Sequence, residues 1–403
     1  MSSRIDQYYS IFSFLCTRVF SIFSLYLCNR QLLTFLIIQM NRRVLFLCLL
    51  VSLPILNFAQ NCNCESNFLW VKKTFEENDA GFQYIISKKG RDAYELHNAL
   101  YLKKVKQLPN NQECATLLNQ WIRFFRNGHI GVNYIGKTKK AEKVTEQNKP
   151  PIEKDRNPLN ATKPFFEKLN ENTVYLRIPD FEISEKKAID SIILANRANI
   201  LSTENFIIDV RNNPGGSDAS YSSLIPFLYT QPIRTVGALF YSTDLNNQRM
   251  LELSQNPDFD EESKKTFKNY YEKLQANKGE YVDLFNKKVN ITKLDTIQPY
   301  PKNIGIVINE NNGSTTEQFL LTAMQSKKVK LYGRTTKGML DISNVNIVTS
   351  PCGDIELYYG LSKSFRIPDF PVDDIGLQPD VFIDKTIEPK NWLNFVRDHL
   401  NGE

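Results

Sequence analysis

Histidine is scarce in this chain, with three among 403 residues. His97, His129 and His399 lie far apart and no His-Glu-x-x-His segment occurs, so the sequence lacks the ligands of a histidine-bound metal enzyme. Cysteine is also sparse beyond residue 60, and no Cys-x-x-Cys pair occurs there, which makes zinc binding the weaker interpretation of these thiols. We therefore expect no metal and no cofactor.

Extremes of composition are missing too. The chain is 42% hydrophobic and 23% charged, which argues against a disordered, collagen-like or polytopic membrane protein. The net charge of +6 is mild, and no basic patch with interleaved aromatic residues occurs, so nucleic acid is not an expected partner. The length is ample for a sizeable hydrophobic core.

Charge is rare at the amino terminus, where residues 1–60 hold six charged side chains. Met40-Asn-Arg-Arg is followed by an uncharged run over 44–59, a pattern typical of a secretory signal and shorter than the roughly 20 apolar residues of a membrane span. We interpret 40–60 as a signal peptide and 1–39 as sequence upstream of the working start at Met40. An uncleaved amino-terminal anchor is the alternative. The protein is expected to be exported (periplasmic, cell-surface or secreted), without stable membrane insertion once the signal is removed.

Four cysteines follow the predicted signal: Cys62, Cys64, Cys114 and Cys352. An even number in an exported chain permits two disulfides. Cys62 and Cys64 are too close to each other for a relaxed bridge. Any pairing is therefore expected to tie the new amino terminus to Cys114 or Cys352, with the partners left open.

The remaining chain divides by its apolar spacing. The apolar spacing is helical from about 65 to 127 and a short strand is predicted over 129–134, so we assign 61–135 to a small N-terminal helical domain. Residues 136–164 are rich in Lys, Glu and Pro and predict a linker or exposed loop. From 165 to 403, short β-rich runs alternate with helical segments, which predicts an α/β core with a largely parallel sheet. Residues 242–290 are predicted to form a helical insertion over one face of this core. The predicted strands are 174–178, 206–210, 304–308 and 329–332.

A Pro-Gly-Gly turn follows the second of these strands. Consecutive glycines, Gly215 and Gly216, allow the backbone to present bare N–H groups at the end of a buried strand, as an oxyanion hole requires. An ordinary tight turn between a strand and a helix is the alternative interpretation.

A serine follows the third predicted strand, where the next helix begins. Ser314 precedes Glu317 by three residues, which fits an N-cap serine in a capping box. The same position suits a nucleophile at a strand-to-helix turn, where the helix N-terminus stabilises developing negative charge. The spacing alone does not separate the two interpretations.

The two segments occur in order and are followed by Val329-Lys-Leu-Tyr-Gly-Arg-Thr-Thr-Lys-Gly338 and Asp373-Asp-Ile-Gly-Leu-Gln-Pro-Asp380. Together they resemble the serine peptidases of the C-terminal processing (tail-specific) and tricorn-core family, over roughly residues 120–385. The resemblance implies a crotonase-like (ClpP/crotonase) α/β core. Because no room exists for a PDZ domain between the helical part and the core, the tricorn-like branch fits better.

The resemblance also implies roles for individual residues. The nucleophile maps to Ser314, and the oxyanion donors map to the N–H of Thr315 and to that of Gly215 or Gly216. The processing branch uses a lysine base, but methionine stands at that position here and Lys337 falls two residues early. Lys337 is therefore the fallback base.

The tricorn-like branch uses a histidine base and an orienting glutamate. His129, within Arg126-Asn-Gly-His129, resembles that branch's histidine motif. The orienting glutamate maps to Asp373, a shorter carboxylate, with Asp374 as the fallback acid.

These residues predict an exported serine-type peptidase that hydrolyses peptide bonds by acyl transfer through a Ser-His-acid relay, with a peptide or protein as substrate. The alternative is a non-catalytic protein that keeps the fold and binds a peptide or an apolar ligand. The oligomeric state is left open.

Overall fold

The computed structural model describes residues 62–402, except 109, 137–157 and 258. The predicted upstream segment, the predicted signal peptide and most of the predicted linker lie outside these residues. Cys62–Glu403 is one compact unit by its internal contacts.

The first part of the described chain is helical, as its apolar spacing predicts. Helix α1 begins after Asn63, whose side chain accepts the N–H of Ser66 in a reciprocal capping box. Interlocked aromatic side chains, among them Phe75, Trp121 and Phe125, fill the space between the helices. The helices are α1 (Cys64–Asn78), α2 (Phe82–Lys89), α3 (Arg91–Val105) and α4 (Asn111–Ile122).

A six-stranded sheet forms within the described residues after 164. Its strands, from one edge to the other, are β13 (Val381–Phe382), β10 (Val329–Gly333), β9 (Asn303–Ile308), β4 (Asn205–Asp209), β3 (Thr173–Arg177) and β2 (Phe165–Lys168). All neighbours pair in parallel except β2, which is antiparallel to β3. This confirms the predicted parallel sheet.

Helices cover both faces of this sheet, which explains why its central strands are apolar on both sides. Trp392 and Val396 pack on one face against Tyr175 and Val307. Ile189, Phe319 and Leu320 pack on the other. The covering helices are α5 (Lys186–Ala195), α6 (Arg197–Ser202), α7 (Ile225–Leu228), α10 (Thr315–Ala323) and α11 (Trp392–Asn401).

A second, antiparallel sheet joins the helical part, in the order β1-β12-β6-β7 with β11 paired to β12. Its side chains share one core with the helices α1–α4. The long hairpin of β11 and β12 was not foreseen from the sequence. The strands are β1 (Gly131–Tyr134), β6 (Ala238–Tyr241), β7 (Tyr281–Val282), β11 (Ile342–Thr349) and β12 (Ile355–Ser364).

The segment predicted as a helical insertion holds two paired helices, α8 (Asp244–Gln255) and α9 (Glu261–Gln275). It also contributes β7 and the strand β8 (Val289–Thr292), which pairs with β5 (Ile233–Val236). Within the part of the chain that the structure covers, no helix is long and apolar enough to cross a membrane.

Two disulfides tie the first described residues to the rest of the molecule. Cys62 is bonded to Cys352 in the β11–β12 turn, and Cys64 is bonded to Cys114 in α4. The Cα atoms are 5.7 and 5.4 Å apart. The prediction that Cys62 and Cys64 do not bond to each other is confirmed, and the partners left open are now assigned.

Candidate active site

Ser314 lies between the central strand β9 and the helix α10. Its backbone is in the left-handed region, with φ 56° and ψ −126°, and its side chain makes no capping hydrogen bond to the helix. The Ser314 N–H instead donates to the carbonyl oxygen of Met339 at 3.0 Å. A conformation that a non-glycine residue rarely adopts is the mark of a functional turn rather than of an ordinary cap. The capping-box interpretation is therefore wrong.

Glu317 holds the loop that supports the serine. Its fully buried carboxylate accepts the N–H groups of Gly338 at 2.7 Å and Met339 at 2.8 Å, and the hydroxyl of Thr336 at 2.5 Å. Burial raises the pKa of Glu317, although these donors counteract the rise. Glu317 thus fixes the Met339 carbonyl that receives the Ser314 N–H.

His129 faces Ser314 from the segment that leads into β1. Its Nε2 lies 3.0 Å from Ser314 Oγ, and its Nδ1 lies 2.7 Å from the carbonyl oxygen of Ile342. Because a carbonyl oxygen only accepts, the proton of the neutral ring belongs on Nδ1, which leaves Nε2 free to accept the serine proton. Burial, together with the positive charges of Arg126 and Lys337, lowers the pKa of His129 to about 4, although the hydrogen bond to the Ile342 carbonyl opposes this shift. The imidazole is therefore neutral at pH 7.

Asp373 does not contact His129 directly, contrary to its predicted role. Its carboxylate accepts the N–H groups of Leu340 at 2.5 Å, Asp341 at 2.7 Å and Ile342 at 3.2 Å. Aspartate is one methylene shorter than glutamate, and here its oxygens are engaged by the main chain that precedes the Ile342 carbonyl. Burial and the nearby Asp341 charge raise the pKa of Asp373 to about 6.

The two fallback residues lie outside the serine–histidine contact. Asp374 accepts the N–H of Asn127 at 3.1 Å, two residues before His129. Lys337 has an exposed side chain, and it is not among the described residues that line the cleft at Ser314. The structure thus brings His129, and not Lys337, to the serine hydroxyl.

The glycine pair lies against the serine. A Cβ added to Gly215 would lie 2.7 Å from Ser314 Cβ, and both glycines have positive φ, 121° and 141°, so no other residue fits Gly215 without displacing the serine. The Gly215 N–H donates to Asn213 Oδ1 at 3.0 Å and is therefore occupied. In the described part of the chain, no acceptor is hydrogen-bonded to the N–H of Gly216 or of Thr315. Of the two predicted glycines, Gly216 is the donor that remains available.

Asn213 and Ile342 were missed as site residues by the sequence reasoning. The fully buried Asn213 side chain accepts both the Gly215 N–H and, at 2.8 Å, the hydroxyl of Thr316. Its place beside the Pro-Gly-Gly turn was the available signal. Ile342 acts through its carbonyl oxygen, and a main-chain acceptor has no signature in the sequence.

The serine, the histidine and the glycines line a cleft of about 1070 Å³. The insertion contributes Phe285 and Lys287 to its wall, and α10 contributes Thr315 and Gln318. A cleft of this size accommodates several residues of an extended peptide. Among the described residues, no group of His, Cys, Asp and Glu is arranged to hold a metal ion.

The chain is similar in sequence to one protein family and in fold to solved structures. The family model of peptidase family S41 matches residues 172–382. The structure of mature CPAF complexed with lactacystin superposes with a TM-score of 0.58 at 14% identity, over 85% of this chain and 99% of that one. A candidate peptidase from Parabacteroides merdae gives a TM-score of 0.52 at 13% identity, over 84% of this chain and 97% of that one. At these identities the likeness shows the fold alone. A search of curated proteins finds no match to this chain.

Proposed function

Because the chain belongs to peptidase family S41 and is a serine-type peptidase, we propose that it cleaves peptide bonds by acyl transfer, with Ser314 as nucleophile and His129 as general base. The observation that carries this proposal is the 3.0 Å contact between His129 Nε2 and Ser314 Oγ. This distance lies within the range that proton transfer between a base and a nucleophile requires.

In the proposed reaction the Ser314 proton passes to His129 Nε2 as Oγ attacks the scissile carbonyl carbon. The N–H groups of Gly216 and Thr315 bind the oxyanion, in a position where the N-terminus of α10 also favours negative charge. The C–N bond then breaks, and His129 returns its proton to the leaving amine. Water activated by the same imidazole hydrolyses the acyl-enzyme and regenerates the serine hydroxyl.

The Ile342 carbonyl and Asp373 complete the proposed relay. When Nε2 is protonated, the ring carries a positive charge, and Nδ1–H remains hydrogen-bonded to the Ile342 carbonyl at 2.7 Å. Asp373 accepts the Ile342 N–H on the other side of that residue and so keeps the carbonyl aimed at the ring. The acid is thus a positioning group that acts through the main chain.

Three finer assignments belong to the same proposal. The parallel sheet with helices on both faces, and a nucleophile at the end of a central strand, support a crotonase-like catalytic core. The histidine at the serine supports the tricorn-like branch. Two disulfides support an exported protein, because disulfides persist in oxidising compartments.

The non-catalytic alternative is less favoured, because a protein that only binds ligands has no need of a neutral imidazole against a serine hydroxyl in a strained turn. A fluorophosphonate active-serine probe separates the two functions. We expect the protein to be labelled on Ser314 and to cleave members of a peptide library. Ser314→Ala is expected to lose both properties, with turnover reduced by several orders of magnitude.

The matched control is Ser343→Ala, which removes another hydroxyl that lines the cleft. It is expected to keep labelling and cleavage. Equal labelling of Ser314→Ala and the unmodified protein would refute the assignment of the nucleophile. Absence of labelling in both would favour a binding protein.

A further inference from the structure

A buried ion pair lies directly behind His129. The Arg126 guanidinium contacts the Asp79 carboxylate in a bidentate arrangement, with Nη1 and Nη2 at 2.8 and 2.6 Å from the two oxygens. The exposed fractions of the two side chains are 1% and 0%. A salt bridge removed from water in this way gives little net stability, because the cost of desolvating both ions offsets their attraction. Net stability therefore does not by itself account for the pair.

Each partner of the pair also binds main chain. Asp79 accepts the N–H of Gly81 at 2.9 Å and that of Gly360, in β12, at 3.0 Å. Arg126 donates from Nε to the carbonyl oxygen of Gly128 at 3.1 Å and from Nη2 to that of His129 at 3.4 Å. The guanidinium thus links the segment before β1 to the helical part and to the second sheet.

The backbone that Arg126 holds is strained. His129 has φ 54°, a value in the left-handed region that a non-glycine residue adopts only when its surroundings impose it. This conformation turns the chain between α4 and β1 so that the imidazole reaches Ser314. Arg126 donates hydrogen bonds to the carbonyl oxygens on both sides of the His129 Cα, those of Gly128 and of His129 itself.

Two glycines leave the space that this arrangement needs. A Cβ at Gly81 would lie 3.1 Å from Arg126 Nη1 and 2.8 Å from Ile342 Cγ1. A Cβ at Gly360 would lie 3.4 Å from Arg126 Nη2 and 2.6 Å from Ile342 Cγ2. The same two positions therefore make room for the guanidinium and for Ile342, whose carbonyl binds His129 Nδ1.

We propose that Arg126, held by Asp79, is a positioning residue that fixes the main chain of Gly128 and His129 so that the imidazole faces Ser314. The inference rests on the proposed role of His129 as the base. Asp79 and Arg126 belong to the helical part, so this part of the molecule has a function in catalysis beyond packing.

The positive charge of Arg126 has a second effect, on the pKa of His129, which can be separated from the effect of its hydrogen bonds. The groups that act on the imidazole are the cations Arg126 and Lys337, together with the Ile342 carbonyl that is backed by Asp373. A nearby positive charge disfavours the imidazolium and lowers the pKa of His129. Removal of Arg126 is therefore expected to raise that pKa, whereas a lysine at this position keeps the charge and loses the fork geometry.

The test compares two variants in the full chain. In Asp79→Leu/Arg126→Met an apolar pair replaces the ions, an exchange that proteins often tolerate. We expect kcat to fall about 100-fold, because a small misplacement of a catalytic group has that effect, with KM nearly unchanged. Arg126→Lys is expected to lower kcat about 10-fold. Its ammonium cannot contact both the Gly128 and the His129 carbonyls, so the imidazole should be displaced less than in the double variant.

The pKa of His129 is read by NMR of the imidazole signals, which is practical because the chain has three histidines and His129→Gln assigns the signal. The double variant is expected to raise this pKa and Arg126→Lys to leave it unchanged. Asn98→Ala is the control for stability alone: it removes the acceptor of the buried Trp121 N–H in the same helical part, at 3.0 Å. This control is expected to lower the melting temperature and to change neither kcat nor the His129 pKa.

A folded double variant with unchanged kcat and an unchanged His129 signal overturns the inference. If the double variant does not fold, wild-type kcat in Arg126→Lys overturns it. The NMR titration needs no substrate. A shift of the His129 pKa in a protein that cleaves no peptide would therefore support the link to Arg126 while refuting the proposed peptidase mechanism.

Discussion

Asp373 accepts the N–H of Ile342 at 3.2 Å, and it therefore reaches His129 only through the main chain of that residue. The imidazole donates to the carbonyl oxygen of Ile342, so the peptide unit stands where a relay carboxylate would otherwise be. A carbonyl dipole fixes the tautomer as a carboxylate does, but it carries no full charge to stabilise the imidazolium. We therefore expect Asp373 to contribute less to catalysis than a carboxylate that is hydrogen-bonded directly to the imidazole.

Asp373→Asn is expected to lower kcat/KM by about 10- to 100-fold, less than the roughly 10,000-fold loss seen when a directly bonded relay aspartate becomes asparagine. The asparagine keeps one acceptor for the 340–342 amides and loses the other. Steady-state kinetics on a peptide substrate measures this loss. Asp374→Asn is the matched control and should have little effect, since that carboxylate contacts Asn127 and not the 340–342 segment. A 10,000-fold loss in Asp373→Asn would contradict the indirect role.

Titration of His129 sets the predicted pH dependence of activity. The base must be neutral, and its pKa is lowered to about 4, so protonation of His129 by itself should leave kcat/KM unchanged from pH 7 to about 5 and lower it with a midpoint of about 4. Protonation of Asp373, whose pKa is raised to about 6, is expected to add a smaller decrease near that pH. The decrease of kcat/KM near pH 6 should therefore disappear in Asp373→Asn. If it persists in that variant, His129 has an ordinary pKa.

The same lowered pKa makes a stability prediction with a definite sign. Between pH 6.5 and 4 the unfolded chain binds a proton on His129 and the folded protein does not, so the contribution of this residue to stability falls as the pH falls. Asp373 acts in the opposite direction, because its pKa is raised and the folded protein keeps that proton longer. Comparison of the unfolding free energies of the wild type and His129→Gln across this window isolates the histidine.

Much of the parallel sheet could be predicted from the sequence. The strands β3, β4 and β9 are buried on both faces and hold apolar runs that composition identifies, and β10 is buried over its last three residues. The β11 strand mixes buried and exposed positions and carries polar residues, so it lacks the apolar run that identifies the parallel strands, although Pro351 and Gly353 mark its turn to β12. Its contribution to the site, the Ile342 carbonyl, was therefore invisible.

Within the site, residue types were predictable and their hydrogen-bond partners were not. Ser314, His129 and the glycine pair were found because their motifs occur in order. The spacing of Ser314 and Glu317 also fits a capping box, and it does not reveal that the Ser314 side chain makes no capping bond or that the Glu317 carboxylate binds the loop at Gly338. The choice between Gly215 and Gly216 likewise depends on which N–H the Asn213 side chain occupies.

The oxyanion hole can be tested through the Asn213 side chain, without a change to either glycine. Asn213→Ala removes the acceptor of the Gly215 N–H, so the turn that presents Gly216 loses its internal bond. We expect kcat to fall by about 100-fold, the scale of losing one oxyanion donor, with KM little changed. Thr316→Val is the control, since it removes the 2.8 Å bond to Asn213 Oδ1 and keeps the bond to Gly215. A wild-type kcat for Asn213→Ala would show that the turn does not depend on this side chain.

Substitution of Lys337 and of His129 distinguishes the two relays that the sequence allowed, a serine–lysine pair and a serine–histidine pair. The Lys337 side chain is exposed, and its charge acts on His129 only by lowering the pKa of the imidazole. Lys337→Gln should therefore keep kcat at pH 7 within about twofold and move the acid limb of kcat/KM to higher pH, because one of the cations that oppose protonation is removed. His129→Gln should lose at least about 10,000-fold in kcat at the same pH, as the loss of a relay base does. The reverse result, with Lys337→Gln inactive and His129→Gln active, would assign the base to the lysine and place the serine in a Ser-Lys pair.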